Sequence, residues 1–184
     1  MRFPRCLAGR SALLVAAIVV AHVVHAGAQA PVPSPNAGAI LNTAKVTAHE
    51  EQKNILVEFS ASWCSWCHRF EAFLQSPDLG PLIGRHFVLV KLVVQEMPDK
   101  RALNTLGAQA LMDEWGGARS GLPFYVFLNA QGEKIADSNA MPAGGNIGYP
   151  ATSTEIDAFL KLFERTAPRM SSDDRMRIAE YFRK

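Results

Sequence analysis

The sequence has little excess charge of either sign and little cysteine. Lysine and arginine number 19 against 17 acidic residues, a formal net charge of +2, which excludes a strongly cationic nucleic-acid binder. Three cysteines in 184 residues are too few for a small domain stapled by disulfides. Hydrophobic residues make up 48% and charged residues 20%. This composition is typical of one globular domain with a tail.

Residues 1–30 have the pattern of a secretory signal peptide. Three arginines precede an apolar stretch at 11–24, and A-x-A cleavage patterns end at Ala28 and Ala30. The alternative is an uncleaved membrane anchor, but the stretch is shorter than the about 20 residues of a membrane span, and His22 interrupts it. Cleavage removes Cys6 and three of the 19 basic residues, so the exported chain has 16 basic and 17 acidic residues.

The remaining chain divides into a Pro-rich linker at 31–37, a domain at 38–167 and a helical extension at 168–184. A Gly/Pro-rich loop at 139–151 is interpreted as a plain connection. Hydrophobic periodicity and turn residues predict helices at 39–51, from near Cys64 to Pro77, at 100–115, at 152–165 and at 171–182, and strands at 54–59, 86–94, 122–128 and 133–137. A turn at 129–132 joins the last two strands, and the helix at 152–165 is predicted to open with a capping box, Thr152-x-x-Glu155.

This order of elements predicts an α/β fold with a mixed sheet. Strands linked by helices indicate a parallel start, and the hairpin formed by the last two strands indicates an antiparallel finish. The strands at 54–59 and 86–94 are nearly continuous apolar runs, which is typical of strands that are buried on both faces.

The strongest chemical signal is Cys64-Ser65-Trp66-Cys67, at the start of a predicted helix. A helix N-terminus favours a thiolate and lowers the pKa of a cysteine to about 3.5–7.5. The thiolate is the species that attacks a disulfide. A purely structural bridge is the plainer alternative, but a loop of about four residues would stabilise the fold by only about 2 kcal/mol in the chain-entropy estimate.

Two other chemistries use the same cysteines. Cys64-x-x-Cys67-His68 is the attachment pattern of c-type haem, with His68 as an iron ligand and a methionine such as Met97, Met112, Met141 or Met170 as the sixth ligand. Zinc is disfavoured because the side chains of adjacent Cys67 and His68 diverge on a helix and no second motif completes a site. Haem attachment explains neither the apolar strand before the motif nor Pro123.

The stretch Ile55–His68 resembles the active-site strand and helix of the thioredoxin family. Glu58 stands where that family has a buried carboxylate, Lys91 matches a neighbouring lysine, and Leu122-Pro123 matches the cis-proline loop. The resemblance covers about residues 39–165 and implies a thioredoxin-like three-layer fold. The tryptophans around the cysteines make the chain more similar to exported thioredoxin-like proteins than to cytosolic thioredoxin.

The resemblance also implies a mechanism of thiol–disulfide exchange without a cofactor, because the dithiol itself carries two electrons. Cys64 would be the nucleophile and Cys67 the resolving thiol, with Glu58 relaying a proton. Pro123, in a cis peptide bond, would position the substrate backbone. The partners would be protein disulfides and a thiol electron donor or acceptor in the periplasm or outside the cell.

Further residues complete the expected site. Trp63, Trp66 and Leu122 are predicted substrate contacts. Glu58 and Lys91 interrupt adjacent apolar strands and are expected to form a pair, the alternative being that both side chains reach the edge of the sheet and meet solvent. The chain departs from the family in its Ser-Trp dipeptide, in the longer stretch at 95–121 and at 168–184. A thioredoxin-fold binding module without redox turnover therefore remains an alternative function.

Overall fold

The computed structural model describes residues 36–184, and the predicted signal peptide and most of the linker lie outside them. The first helix, α1 (Ala37–Glu50), begins at an N-cap whose Asn36 Oδ1 accepts a hydrogen bond from the Gly38 amide at 2.8 Å. It therefore starts two residues earlier than predicted. No helix within residues 36–184 is long and apolar enough to span a bilayer.

Four strands form one mixed sheet in the order β2-β1-β3-β4. They are β1 (Asn54–Ser60), β2 (Phe87–Val93), β3 (Phe124–Leu128) and β4 (Lys134–Asp137). β1 pairs parallel with β2 and antiparallel with β3, and β3 pairs antiparallel with β4. The predicted mixed sheet, with its parallel start and antiparallel finish, is confirmed.

The helices that follow α1 are α2 (Ser65–Leu74), α3 (Gly80–Gly84), α4 (Ala108–Met112), α5 (Ser153–Thr166) and α6 (Ser172–Phe182). Helix α5 begins with the capping box predicted from Thr152 and Glu155. The short helix α3, which has a proline in its first turn, was not predicted. Its five residues are too few to show a helical period.

Alternation along the strands builds one hydrophobic core on each face of the sheet. One core joins Ile55, Val57 and Phe59 to α1 and α4. The other joins Leu56 and Tyr125 to α2, α3, α5 and α6. Glu58 alternates with Val57 and Phe59 and thus belongs to the face covered by α2.

Helix α6, in the predicted C-terminal extension, packs into the second core. Ile178, Ala179 and Phe182 are buried, and the Phe182 ring lies 4.5 Å from that of Phe73, centroid to centroid. Burying a side chain of this size stabilises a fold by about 1.5–3 kcal/mol. The helix is therefore held by the same core as the active-site helix α2.

Two predicted elements differ from the structure. β2 is the edge strand of the sheet. It is not buried on both faces, since the side chain of Leu89 is 39% exposed. The predicted helix at 100–115 is divided into a 3₁₀ helix (Pro98–Leu103), α4 and a π-helical turn (Asp113–Gly117). It breaks where the Thr105 amide donates to the carbonyl of Val93 at 2.8 Å and Gly107 adopts a φ of 81°.

Candidate active site

Cys64 and Cys67 are joined by a disulfide at the start of α2. Cys64 is the N-cap residue, and its Sγ accepts a hydrogen bond from the Cys67 amide at 3.1 Å. Cys67 is fully buried, whereas Cys64 keeps 4% of its surface exposed. Because free helical amides and the helix dipole favour a negative charge at the N-cap, reduction would place the more stable thiolate at Cys64.

Glu58 is a buried carboxylic acid on the sheet face that α2 covers. It is 3% exposed, and its Oε1 has no hydrogen-bond partner within residues 36–184. The pKa of Glu58 is raised to about 8, chiefly by burial and also by the charge of Glu71, while the ammonium of Lys91 opposes the rise. A pKa this close to that of an ordinary thiol suits proton exchange with a cysteine.

The expected direct pair between Glu58 and Lys91 is not formed. The two residues are register partners on neighbouring strands, but the Lys91 Nζ lies 2.6 Å from Oε1 of Glu71. Ser60 Oγ donates to the same Glu71 oxygen at 2.9 Å. Lys91 is at the sheet edge with 45% of its side chain exposed, and Glu71 is the more exposed of the two carboxylates. An ion pair of Lys91 with Glu71 therefore costs less desolvation than an ion pair with the buried Glu58 would.

A small cavity of about 150 Å³ lies beside these groups, lined in part by Glu58, Glu71, Gln75 and Lys91. Sequence reasoning found Glu58 and Lys91 because each interrupts an apolar strand. It missed Glu71, which lies on the helix after the cysteines and has no such signal. The structure thus shows an acidic pair, one member buried and one tied to Lys91.

The Leu122–Pro123 peptide bond is cis, as the resemblance implied. Leu122 packs against a cluster made of Ala61, Cys64 and Cys67. The loop that carries the proline is therefore held against the disulfide. Asn146 also holds this loop, because its Nδ2 donates to the carbonyls of Gly121 and Pro123 at 2.7 and 3.0 Å.

The two tryptophans beside the cysteines are both exposed, Trp63 by 51% and Trp66 by 46%. Trp63 Nε1 donates to the carbonyl of Gln95 at 2.8 Å. The Trp66 ring is stacked on that of Tyr149, with centroids 5.5 Å apart, and the Arg69 guanidinium lies 4.8 Å from its centroid. Two ordered, exposed aromatic rings next to a disulfide form a surface suited to polypeptide contact.

The segment before Cys64 is held in place by Glu96, a residue that sequence reasoning did not select. The Glu96 carboxylate accepts hydrogen bonds from the amide and hydroxyl of Ser62, at 2.6 and 2.7 Å. These bonds, the side-chain one above all, hold the pKa of Glu96 below its usual value. The Ser62 carbonyl lies 3.0 Å from His68 Nε2, and since a carbonyl only accepts, that nitrogen carries the proton.

Among residues 36–184, no group of histidine, cysteine and acidic side chains is arranged to hold a metal ion. His68, the ligand in the haem and zinc alternatives, directs Nε2 at the Ser62 carbonyl. Of the predicted site residues, the structure brings together Cys64, Cys67 and Leu122 in one cluster. Glu58 lies on the sheet face that α2 covers. In sequence, Trp63 precedes Cys64 and Trp66 lies between the two cysteines.

A family model described as thioredoxin-like matches residues 37–130. No curated protein matches the chain. A solved structure similar to this one is a disulphide isomerase from Xylella fastidiosa Temecula1, 22% identical, covering 79% of this chain and 88% of that chain with a TM-score of 0.48.

Two further structures are similar at lower scores. The oxidised C-terminal domain of Neisseria meningitidis DsbD is 20% identical and covers 72% of this chain and 97% of that chain, with a TM-score of 0.45. A thioredoxin from Thermus thermophilus is 19% identical and covers 56% of this chain and 71% of that chain, with a TM-score of 0.39.

Proposed function

The chain belongs to the thioredoxin-like family, and we propose that it is an exported thiol–disulfide oxidoreductase that exchanges electrons with partner proteins through Cys64 and Cys67. One observation carries the proposal: the two cysteines form a disulfide at the N-terminus of α2, on the sheet face that holds the buried acid Glu58. A structural bridge would need neither the helix terminus nor the buried acid.

In the reducing direction, the first step is an attack by Cys64. Its thiolate forms a bond to one sulfur of the substrate disulfide, the substrate S–S bond breaks, and the other substrate sulfur leaves as a thiolate that takes a proton from water. The α2 N-terminus stabilises the attacking thiolate. The exposed tryptophans and the Pro123 loop support the substrate chain during this step.

In the second step, Cys67 releases the product. The Cys67 thiol gives its proton to the Glu58 carboxylate and attacks Cys64 Sγ, the bond between Cys64 and substrate breaks, and the second substrate thiolate leaves. Two electrons have then passed to the substrate, and the Cys64–Cys67 disulfide has formed. The same steps in reverse oxidise a dithiol substrate. Because the pKa of Glu58 is about 8, its base form grows as the pH rises towards 8.

The proposal is tested by trapping. Cys67→Ser leaves an attacking thiolate at Cys64 that cannot be displaced, so mixed disulfides should accumulate in the exported fraction and appear on non-reducing gels. Cys64→Ser is the matched control, since it keeps one buried cysteine and should trap little. Equal trapping by both variants would refute the assignment of the nucleophile.

The same experiment separates the competing function. A binding module without turnover would give no mixed disulfides with either variant and would not reduce the disulfides of insulin. Export is tested by the N-terminal sequence of the isolated protein, which should begin near residue 29 or 31 after cleavage. A chain that stays in the cytosol with residues 1–30 attached would contradict that part of the proposal.

A further inference from the structure

The loop between β4 and α5, residues 138–152, reaches the candidate site at two separate points. At the first, Asn146 Nδ2 donates to the carbonyls on both sides of Leu122, those of Gly121 and Pro123, at 2.7 and 3.0 Å. One side-chain amide therefore spans the cis-proline segment. Asn146 Oδ1 in turn accepts from the Gly148 amide at 3.2 Å, which fixes the amide's orientation.

At the second point, Tyr149 supports the residue between the cysteines. Its ring is stacked on Trp66 at 5.5 Å with an interplanar angle of 28°. Trp66 is almost half exposed, so the indole relies for its orientation on Tyr149 together with the Arg69 guanidinium, which lies 4.8 Å from its centroid. Stacked aromatic pairs add stabilisation beyond that of the area they bury.

The loop is itself anchored to the core. The Tyr149 ring contacts Phe182 of α6 edge-on at 5.3 Å, and Phe182 packs on Phe73 of α2 at 4.5 Å. Ile147 is buried, and its amide donates to the Ser138 carbonyl at 2.7 Å. A continuous aromatic contact thus runs from α6 through Tyr149 to the residue before Cys67.

We infer that Asn146 and Tyr149 are positioning residues that preorganise the substrate-binding surface, Asn146 through the Pro123 loop and Tyr149 through Trp66, with α6 as their support. The inference rests on the proposed function, because it concerns how the same site binds protein substrates. When a polypeptide binds to Trp66 and the Pro123 loop, less conformational entropy is lost if both are already fixed. A small disulfide that reaches only Cys64 gains nothing from this order.

The first test compares Tyr149→Leu with the conservative Tyr149→Phe. In dithiothreitol-coupled reduction of insulin, Tyr149→Leu should raise the KM about threefold to tenfold, the range expected for one lost aromatic pair. Its bimolecular rate with 4,4′-dithiodipyridine, measured on the prereduced protein, should stay within about twofold of wild type. Tyr149→Phe keeps the stacking ring and should restore the KM.

The second test uses Asn146→Ala, which removes the hydrogen bonds to the carbonyls of Gly121 and Pro123 and leaves Trp66 and its stacking partner unchanged. It should also raise the insulin KM and spare the small disulfide. Asn54→Ala is the matched control: Asn54 Nδ2 donates to the Thr166 carbonyl at 2.6 Å, at the end of β1 remote from the cysteines. It removes a comparable side-chain bond and should leave the KM unchanged.

A spectroscopic measurement shows whether Trp66 has been released. With Trp63→Phe and Trp115→Phe as background, emission comes from Trp66 alone, and Tyr149→Leu should shift it to longer wavelength while Asn54→Ala does not.

An insulin KM within twofold of wild type for both Tyr149→Leu and Asn146→Ala overturns the inference, as does an equal loss with the small disulfide. A wild-type protein that reduces neither disulfide refutes the proposed function itself.

Discussion

Replacing Glu58 by glutamine should make the stability of the oxidised protein less dependent on pH. The substitution keeps the shape of the side chain and removes its charge. Glu58 is 3% exposed and its pKa is raised from 4.5 to about 8, chiefly by burial. In the unfolded chain the carboxyl ionises near its ordinary pKa, whereas in the folded protein it keeps its proton until the pH nears 8.

The sign of the effect follows from this difference. The unfolded state gives up the Glu58 proton near pH 4.5, whereas the folded state keeps it until about pH 8. The contribution of Glu58 to wild-type stability is therefore fully present below pH 4.5, falls between pH 4.5 and 8, and is lost as the pH rises through 8. A shift from 4.5 to about 8 corresponds, at 1.36 kcal/mol per pKa unit, to a loss of at most about 5 kcal/mol. Glutamine cannot ionise, so the variant escapes this loss.

The assay is chemical unfolding of both oxidised proteins from pH 4 to 9. Glu58→Gln should match wild type near pH 4, gain stability relative to it by several kcal/mol up to about pH 8, and keep a constant advantage above that pH. Glu50→Gln, which removes an exposed carboxylate at the end of α1, is the control and should give no such slope. Parallel stability curves for wild type and Glu58→Gln would refute the burial of a neutral Glu58.

Three further predictions concern the carboxylates. Glu58→Gln should slow the release step by Cys67 in stopped-flow exchange and abolish its acceleration towards pH 8, while the first attack stays intact; an unchanged second step removes Glu58 from the mechanism. Glu71→Gln removes a charge that raises the pKa of Glu58, so the Glu58 carboxyl should titrate at lower pH by ¹³C NMR, and an unmoved titration contradicts this coupling. The bonds from Ser62 stabilise ionised Glu96, so they are intact at neutral pH and weaken as acid protonates the carboxylate. Glu96→Gln should therefore flatten the acid-side fall in melting temperature, and a fall identical to wild type counts against this role of Glu96.

The local patterns predicted most of the fold. The apolar run of β1, the capping box at Thr152 and the turn before β4 act within a few residues, and each gave the right element. The edge position of β2 depends on which strands pair, and a pattern of alternating or continuous apolar residues does not encode pairing. Lys91 is a weak indication of the edge position of β2, because a lysine within an apolar strand is typical of a sheet edge.

The residues of the candidate site also form two groups, those that a local sequence pattern marks and those that act through contacts distant in sequence. Cys64, Cys67 and Pro123 stand in short motifs, and Glu58 interrupts an apolar run, so each could be chosen from the sequence. Asn146, Tyr149 and Glu96 act through contacts with residues 23 to 83 positions away, and nothing in their local sequence marks such contacts. The loop at 139–151, interpreted as a plain connection, is therefore where sequence reasoning was least complete.

The measurement that tests the central claim most directly is the reduction potential of the Cys64–Cys67 pair. The protein is equilibrated in glutathione buffers of graded ratio, quenched with an alkylating reagent, and the dithiol fraction is fitted to a two-electron equilibrium. A disulfide used for exchange should have a potential between about −270 mV, as in thioredoxin, and about −120 mV, as in the most oxidising relatives. A potential below about −300 mV, the range of structural disulfides that resist glutathione, would contradict a redox function.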